Sequence, residues 1–287
     1  NNPKIEITDC IEEGLSDPVK HIGMAATAEV CAQMYSVTRD AQDQYAHGSY
    51  RKALDAENAG FYDTHIYPVQ KNNVTLLERD EYPFLRKNIA DKPQMLSKAP
   101  LMFGGADFTM KMFFEKYGEF ILGKKYIEGQ TLPTLTLFNS CARSDGAAAV
   151  IVASEQRAKD LRLDIIAELK SWAFWGNNPS HMGIAPAFAA DLALKRAGIS
   201  FSQLDDIELH EAFAATCLSI FRVGKEKFGQ NWDDKLKQNA LNPHGGTIAL
   251  GHPLAATGTR IVLNALYQMK ANPDTRWALA TACAAGG

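Results

Sequence analysis

The chain is poor in the features that would place it in several large protein classes. Cysteine is scarce: Cys10, Cys31, Cys141, Cys217 and Cys283 are the only five in 287 residues, and no two form a CxxC pair. An odd number at wide spacing supports neither a disulfide framework nor a zinc site, so a reducing compartment is the default. No apolar run reaches the roughly 18–20 residues that a membrane-crossing helix needs. There is no block of lysine and arginine and the net charge is −3, so nothing recommends nucleic acid as a partner. An acidic ligand would have to be met by local positive groups. The opening "NNPKIEITDC" lacks a methionine, a basic start and an apolar stretch, so it is not a signal peptide. The end, "TACAAGG", stops on a glycine pair, and both ends read as cut.

What the chain does have is 46% hydrophobic residues, enough for one large domain or two ordinary ones. Residues 15–62 read as helical. Asp17 as cap and Pro18 in the first helical position open one helix, and a second runs from Arg39 to Asn58 and stops at Gly60. "THIYPV" reads as a short strand. The stretch "PLMFGGADFTMKMFFEKYGEFILGKK" is unusually rich in Phe and Met. Apolar residues at helical spacing are usually core, so it is expected to be a helical subdomain. The alternative is an amphipathic surface for a membrane or a partner subunit, with Lys111, Lys116, Lys124 and Lys125 beside the apolar face.

From 134 onward strands and helices alternate. "TLTLF", "AAAVIVA", "DIIAELKSWAFW", "DIELH" and "WALATAC" are expected strands, with helices over "SEQRAKDL", "APAFAADLALKRAG", "AFAATCLSIFRVGKEKFG" and from about Ala256. That alternation indicates α/β layers over residues 133–287, set apart from the less regular residues 1–132. Ligands of such sheets gather beyond the carboxyl ends of strands, which points to His210 and Cys283.

Three segments carry candidate chemistry: "ELHEAFAA" with His210, "GGTIALGHPLAATG" with His252, and "TACAAGG" with Cys283. Each sets a proton-transfer group among small residues that let a substrate approach backbone N–H groups. A histidine titrates near neutrality, whereas a cysteine needs a positive neighbour or helix N-terminus to act as a base. Taken singly, His252 could sit on a surface turn, Cys283 could be a buried apolar residue and His210 could cap a helix. A metal centre is not indicated: His244 and His252 are separated by a glycine-rich turn and lack a well-spaced third ligand.

"HEAFAA", "NPHGGTIALGHPLAATGTR" and "TACAAGG" resemble the three C-terminal motifs of thiolases. The likeness continues upstream through "TAEVCAQMYSVTRDAQDQYAHGSYRKA", "NSCARSDGAAAVIVASEQRAK" and "MGIAPAFAADLALKRAG", apart from the Phe/Met-rich stretch near 103–130, which looks like an insertion. His210, where biosynthetic thiolases have asparagine, makes the chain similar to the degradative branch, including the β subunit of the fatty-acid oxidation trifunctional complex. The resemblance implies a layered αβαβα thiolase fold, of which this chain would hold the cap region and the C-terminal half, the N-terminal half being absent.

It also implies roles. His252, aimed by Gly251 and Pro253, would activate the nucleophilic thiol and, with His210, form the oxyanion hole for the thioester oxygen. Cys283 would exchange a proton with the α-carbon of acetyl-CoA. The N–H of Ala285 would join a second oxyanion hole. Met182, Ala212 and Phe213 would line the pantetheine and acyl channel, and Arg86 would meet the CoA phosphates. Cys141 and Ala25 stand where the family usually has a hydroxyl residue and a glycine, which puts their ligand contacts in doubt. None of the five cysteines has the context of the family's acylated nucleophile, which is expected upstream of this chain.

The implied activity is CoA-dependent cleavage of 3-ketoacyl-CoA to acetyl-CoA and a shortened acyl-CoA, or its Claisen reverse, as in β-oxidation. Coenzyme A would be a substrate, with no permanently bound cofactor. The alternatives are a non-catalytic CoA-ester or lipid-binding subunit, an acetoacetyl-CoA-forming thiolase, and a related condensing enzyme using acyl carrier protein. A homodimer, a hydratase/dehydrogenase partner subunit, and a bacterial cytoplasmic or mitochondrial matrix location rest on the resemblance alone.

Overall fold

The structure, a computed structural model, describes residues 9–287. Helix α1 (Cys10–Gly14) starts at Asp9, whose side chain accepts the N–H groups of Ile11 and Glu12. The helix expected at Asp17–Pro18 is not there. The Asp17 carboxylate instead accepts from Val19 and Lys20 and closes a turn, and His21 takes a left-handed φ of 51° that ends it. Helix α2 (Met24–Met34) begins only after Gly23. Helix α3 (Arg39–Asn58) has the expected bounds: Thr38 caps its start, and Gly60 lies at φ 71° just beyond its end.

The strand expected over "THIYPV" is also displaced, because residues 61–64 wind into a 3₁₀ turn. Strand β1 (Val69–Lys71) starts later and pairs antiparallel with β2 (Val74–Leu77). The turn between them holds Asn72 and Asn73, both at positive φ, the conformation that two-residue hairpin loops favour. Short helices α4 (Tyr82–Leu85) and α5 (Lys87–Asp91) follow, then α6 (Met110–Tyr117). The Phe/Met-rich stretch turns its large residues inward. Met110, Phe113, Tyr117 and Ile121 pack on Ile22 and on Ala26 and Val30 of α2, a small core of its own.

Three expected strands do not form. Residues 134–138 make one isolated bridge, Thr136 to Leu101, and residues 147–153 and 164–175 join no ladder, on either side of helix α7 (Glu155–Asp160). Their β-branched and aromatic composition favours a pleated surface, but a strand is stabilised only by cross-strand partners. No described residue supplies them, and Ile151 and Phe174 stand 87% and 84% exposed.

Beyond this, sequence and structure agree closely. Helix α8 (Ala185–Ala197) ends at Gly198 and α9 (Ala214–Phe228) at Gly229, both glycines at left-handed φ. Strand β3 (Asp206–Leu209) is wholly buried. It lies parallel to β4 (Ala278–Thr281), in register from Asp206 opposite Ala278 to Leu209 opposite Thr281. Ile207 bridges to Leu241 on the other side of β3. Between the two strands run α10 (Trp232–Lys237), α11 (Thr247–Leu250) and α12 (Thr257–Ala271). The largest core joins Tyr45 and Ala53 of α3 to Ile207, Leu209, Ile220, Trp232 and Ile248. The carboxyl ends of three neighbouring chain segments thus open on one side, at His210, at the loop after Leu241 and at Cys283.

Candidate active site

His210 directly continues β3. Its N–H donates to the carbonyl of Thr281 at 2.9 Å, extending the parallel ladder by one bond and setting the ring beside the strand end that leads to Cys283. The ring is buried, with Nδ1 2.9 Å from Thr247 Oγ1. His252 comes from the glycine loop, where Gly251 has φ 83° and an added Cβ would lie 2.6 Å from Ser144 Oγ. Its N–H donates to Ala142 at 2.7 Å, and the N–H of Cys141 donates to Ala212 at 3.0 Å. Segment 141–144 therefore stitches the two histidine loops together. The imidazole centroids are 4.3 Å apart.

Thr257 Oγ1 stands 2.7 Å from His252 Nδ1 and 3.1 Å from the Pro253 carbonyl. When the hydroxyl gives its hydrogen to that carbonyl, its lone pair meets an Nδ1–H, the tautomer in which Nε2 keeps the lone pair that a base needs. Burial lowers the His252 pKa to about 4, assisted by the Arg260 charge. His210 is lowered to about 3, by burial first and then by His252 and Arg260. Both rings are neutral at physiological pH. Burial moves the other way for thiols, raising Cys283 to about 11 and Cys141 to about 12. Cys283 is thus a proton donor that becomes a base only when positive charge arrives beside it.

The remaining candidates separate into two groups. Met182 is buried in the turn Pro179–Ile184, which packs on α2 and α9 so tightly that a Cβ on Gly183 would meet Thr216 at 2.5 Å. Phe213 is the N-cap residue of α9 and bridges to Ser140. Ala285 lies in the exposed tail, and a Cβ added at Gly287, at its end, would meet Asn177 and Pro179. Phe213 and Ala285 follow His210 and Cys283 closely in the chain, and the Met182 turn packs on the helix that Phe213 caps. Arg86 is held elsewhere: its Nε donates to Tyr82 Oη, its guanidinium lies 5.1 Å from the rings of Tyr82 and Phe138, and it bonds to no other candidate.

Sequence reading missed the residues that hold the histidines: Glu211, Asn242, Thr247, Thr257 and Arg260. The available signal was a buried-looking "HE" pair at the end of an apolar strand, and an arginine one turn into the helix after "GHP". Arg260 donates Nη2 to the Gly251 carbonyl at 2.6 Å and Nη1 to Leu250 at 3.4 Å, gripping the residues before His252.

Two family models match the chain: "Thiolase, N-terminal domain" over residues 2–92 and "Thiolase, C-terminal domain" over 163–287. The chain belongs to the thiolase family. The expected absence of the N-terminal half is overturned by the first match, since the helices read as a separate cap belong to that domain's sequence. Their packing agrees, because α3 shares the main core with β3 and α9. Among curated thiolase relatives, the chain is 35% identical over 281 residues to an acetyl-CoA acetyltransferase of Cupriavidus necator, covering 96% of this chain and 61% of that one. A probable acetyl-CoA acyltransferase of Staphylococcus aureus is 32% identical over 285 residues, with 98% and 62% covered. Among solved thiolase structures, the Bacillus anthracis acetyl-CoA acetyltransferase superposes with a TM-score of 0.78 at 26% identity, over 99% of this chain and 64% of that one. Human mitochondrial 3-ketoacyl-CoA thiolase gives 0.75 at 27%, over 100% and 63%. The chain thus spans about three fifths of the length of the curated relatives it matches.

Proposed function

We propose that the protein carrying this chain is a 3-ketoacyl-CoA thiolase of the degradative type, cleaving its substrate with free CoA to acetyl-CoA and a shortened acyl-CoA. The observation that carries the reading is the pair of neutral imidazoles 4.3 Å apart at two loop ends, with the Cys283 thiol on the adjoining strand end. His252, with a bare Nε2, takes the proton of the attacking thiol. His210 and His252 together meet the thioester oxygen as negative charge develops on it. Cys283 gives a proton to, or takes it from, the α-carbon of the acetyl unit. The acylated nucleophile is assigned to a cysteine outside these 287 residues: Cys31 and Cys217 are fully buried among apolar side chains, and neither the exposed Cys10 nor the half-buried Cys141 stands in the sequence context of the family's nucleophile. Coenzyme A enters as a substrate. The choice of the degradative branch rests on histidine at position 210, and homodimer formation rests on resemblance.

The test is CoA-dependent loss of acetoacetyl-CoA and of long-chain 3-ketoacyl-CoA by the complete protein. Turnover is expected on both, and no turnover on either with the histidines intact sinks the reading. Cys283→Ala is expected to abolish exchange of the α-protons of acetyl-CoA with solvent, and retained exchange counts against the role given to this thiol.

A further inference from the structure

Between His210 and Ala212 lies a carboxylate that no proton transfer above uses. Glu211 is 2% exposed, and its two oxygens are met by four donors. On Oε1 these are Tyr45 Oη at 3.0 Å and Asn242 Nδ2 at 2.8 Å. On Oε2 they are Ser49 Oγ at 2.6 Å and the Ile248 N–H at 3.3 Å. The donors come from α3, from the loop after Leu241 and from α11, so one side chain joins three parts of the fold.

Two of the four donors cannot change role. Ile248 offers a backbone N–H. The Asn242 amide is fixed because its Oδ1 accepts the Leu209 N–H at 2.7 Å while Nδ2 donates to the Leu209 carbonyl at 2.9 Å. One fixed donor faces each oxygen, so both oxygens accept, and an amide in this place would turn its NH₂ on one of them. The loop is tied a second way: the Gly246 N–H donates to Ser49 Oγ at 3.0 Å, and that hydroxyl in turn donates to Glu211. Gly246 and Ile248 flank Thr247, whose hydroxyl is 2.9 Å from His210 Nδ1.

We infer that Glu211 is a positioning residue for the reaction: its carboxylate clamps residues 246–248 so that the Thr247 hydroxyl fixes the ring and tautomer of His210. The inference rests on the activity proposed above for its kinetic consequence, but not for the state of His210. Glu211 touches no reacting atom. Losing the clamp releases Thr247, and His210 is no longer held in one orientation for the thioester oxygen.

The experiment is a double-mutant cycle between Glu211→Gln and Thr247→Val in the complete protein. It is read by acetoacetyl-CoA thiolysis and by the ¹⁵N NMR signals of His210. Glu211→Gln is expected to lower kcat about tenfold or more, the scale of one lost buried hydrogen bond to a charged group, and Thr247→Val about threefold to tenfold, the scale of a neutral one, with KM for acetoacetyl-CoA changed less than about twofold in each. The double variant is expected to be no slower than the worse single one, and the His210 Nδ1 signal is expected to shift in all three. Additive losses, a change confined to KM, or unshifted His210 signals in Glu211→Gln would overturn the inference. Should Glu211→Gln not fold, Ser49→Ala leaves the Tyr45 and Asn242 bonds in place and is read by the same criteria. If the wild-type protein turns over no 3-ketoacyl-CoA, the functional reading falls alone, and the His210 signals still decide whether Glu211 acts on that ring.

Discussion

Gly246→Ala isolates the grip of Glu211 on the glycine loop as a stability effect. Gly246 has φ −115° and ψ −163°, an extended conformation that alanine adopts without strain, so the only new term is the added methyl. That carbon would stand 2.2 Å from Glu211 Cδ, 2.4 Å from Oε2 and 2.6 Å from Asn242 Nδ2. Carbon atoms in contact sit about 3.5–4 Å apart, so the carboxylate has to retreat by more than about 1 Å. Neither neighbour yields easily, since both are buried and hydrogen-bonded on several sides. A shift of that size breaks at least the Ser49 and Ile248 bonds. At about 1.5–3 kcal/mol for each hydrogen bond to a charged group, the loss is about 3–6 kcal/mol. The reduced freedom of alanine in the unfolded chain returns about 0.4–1 kcal/mol. Urea unfolding of the variant beside Gly48→Ala measures the difference. Gly48 lies inside α3, and an added Cβ there meets nothing within 4 Å. That control is expected to gain about 0.5–1 kcal/mol from helix propensity. A Gly246→Ala protein within about 1 kcal/mol of wild type would refute the clash as the reason for glycine here.

Two further outcomes follow from the electrostatics. The folded pKa values of His210 and His252, about 3 and about 4, lie below the ordinary value, so the unfolded chain takes up protons first as pH falls. Their contribution to stability is complete above about pH 6.5 and declines from there toward pH 4; Tm measured from pH 8 to pH 4 is expected to fall less steeply in His210→Asn, and an unchanged slope would contradict the assignment. Arg260 lowers the His252 pKa and grips the Gly251 carbonyl, so Arg260→Met is expected to raise that pKa in an NMR titration, while Arg260→Lys, keeping the charge, holds it low. Equal titration in the two variants would remove the charge from the explanation.

Local signals in the sequence located much of the fold. Capping glycines at 60 and 198 marked helix ends correctly because a left-handed residue is a local requirement. The Asp17–Pro18 start failed for a related reason: the same side chain closes an Asx turn as readily as it caps a helix. Strand reading held where partners exist, at Asp206–Leu209 and Ala278–Thr281, and failed at 147–153 and 164–175, where composition promises a ladder that the described residues do not complete. Of the candidate site residues, His210 and Cys283 were placed in the sequence by the strand ends they follow, and His252 by its glycine loop. The supports were not. Thr247, Thr257 and Arg260 matter through contacts made across turns or through a helix, which no spacing in the sequence encodes.

The parallel pairing of β3 with β4 has a kinetic consequence. Adjacent antiparallel strands can zip from a short turn, but these two are partners only after the chain between them has been laid down as α9 to α12. The entropy of closing so long a loop must be met before the pairing gives any return, and such contacts form slowly. The bond from His210 to Thr281 belongs to that same late ladder. The bonding of His210 to Thr281 is therefore expected among the late events of folding, and a probe of that bond reports a chain whose intervening loop has already closed.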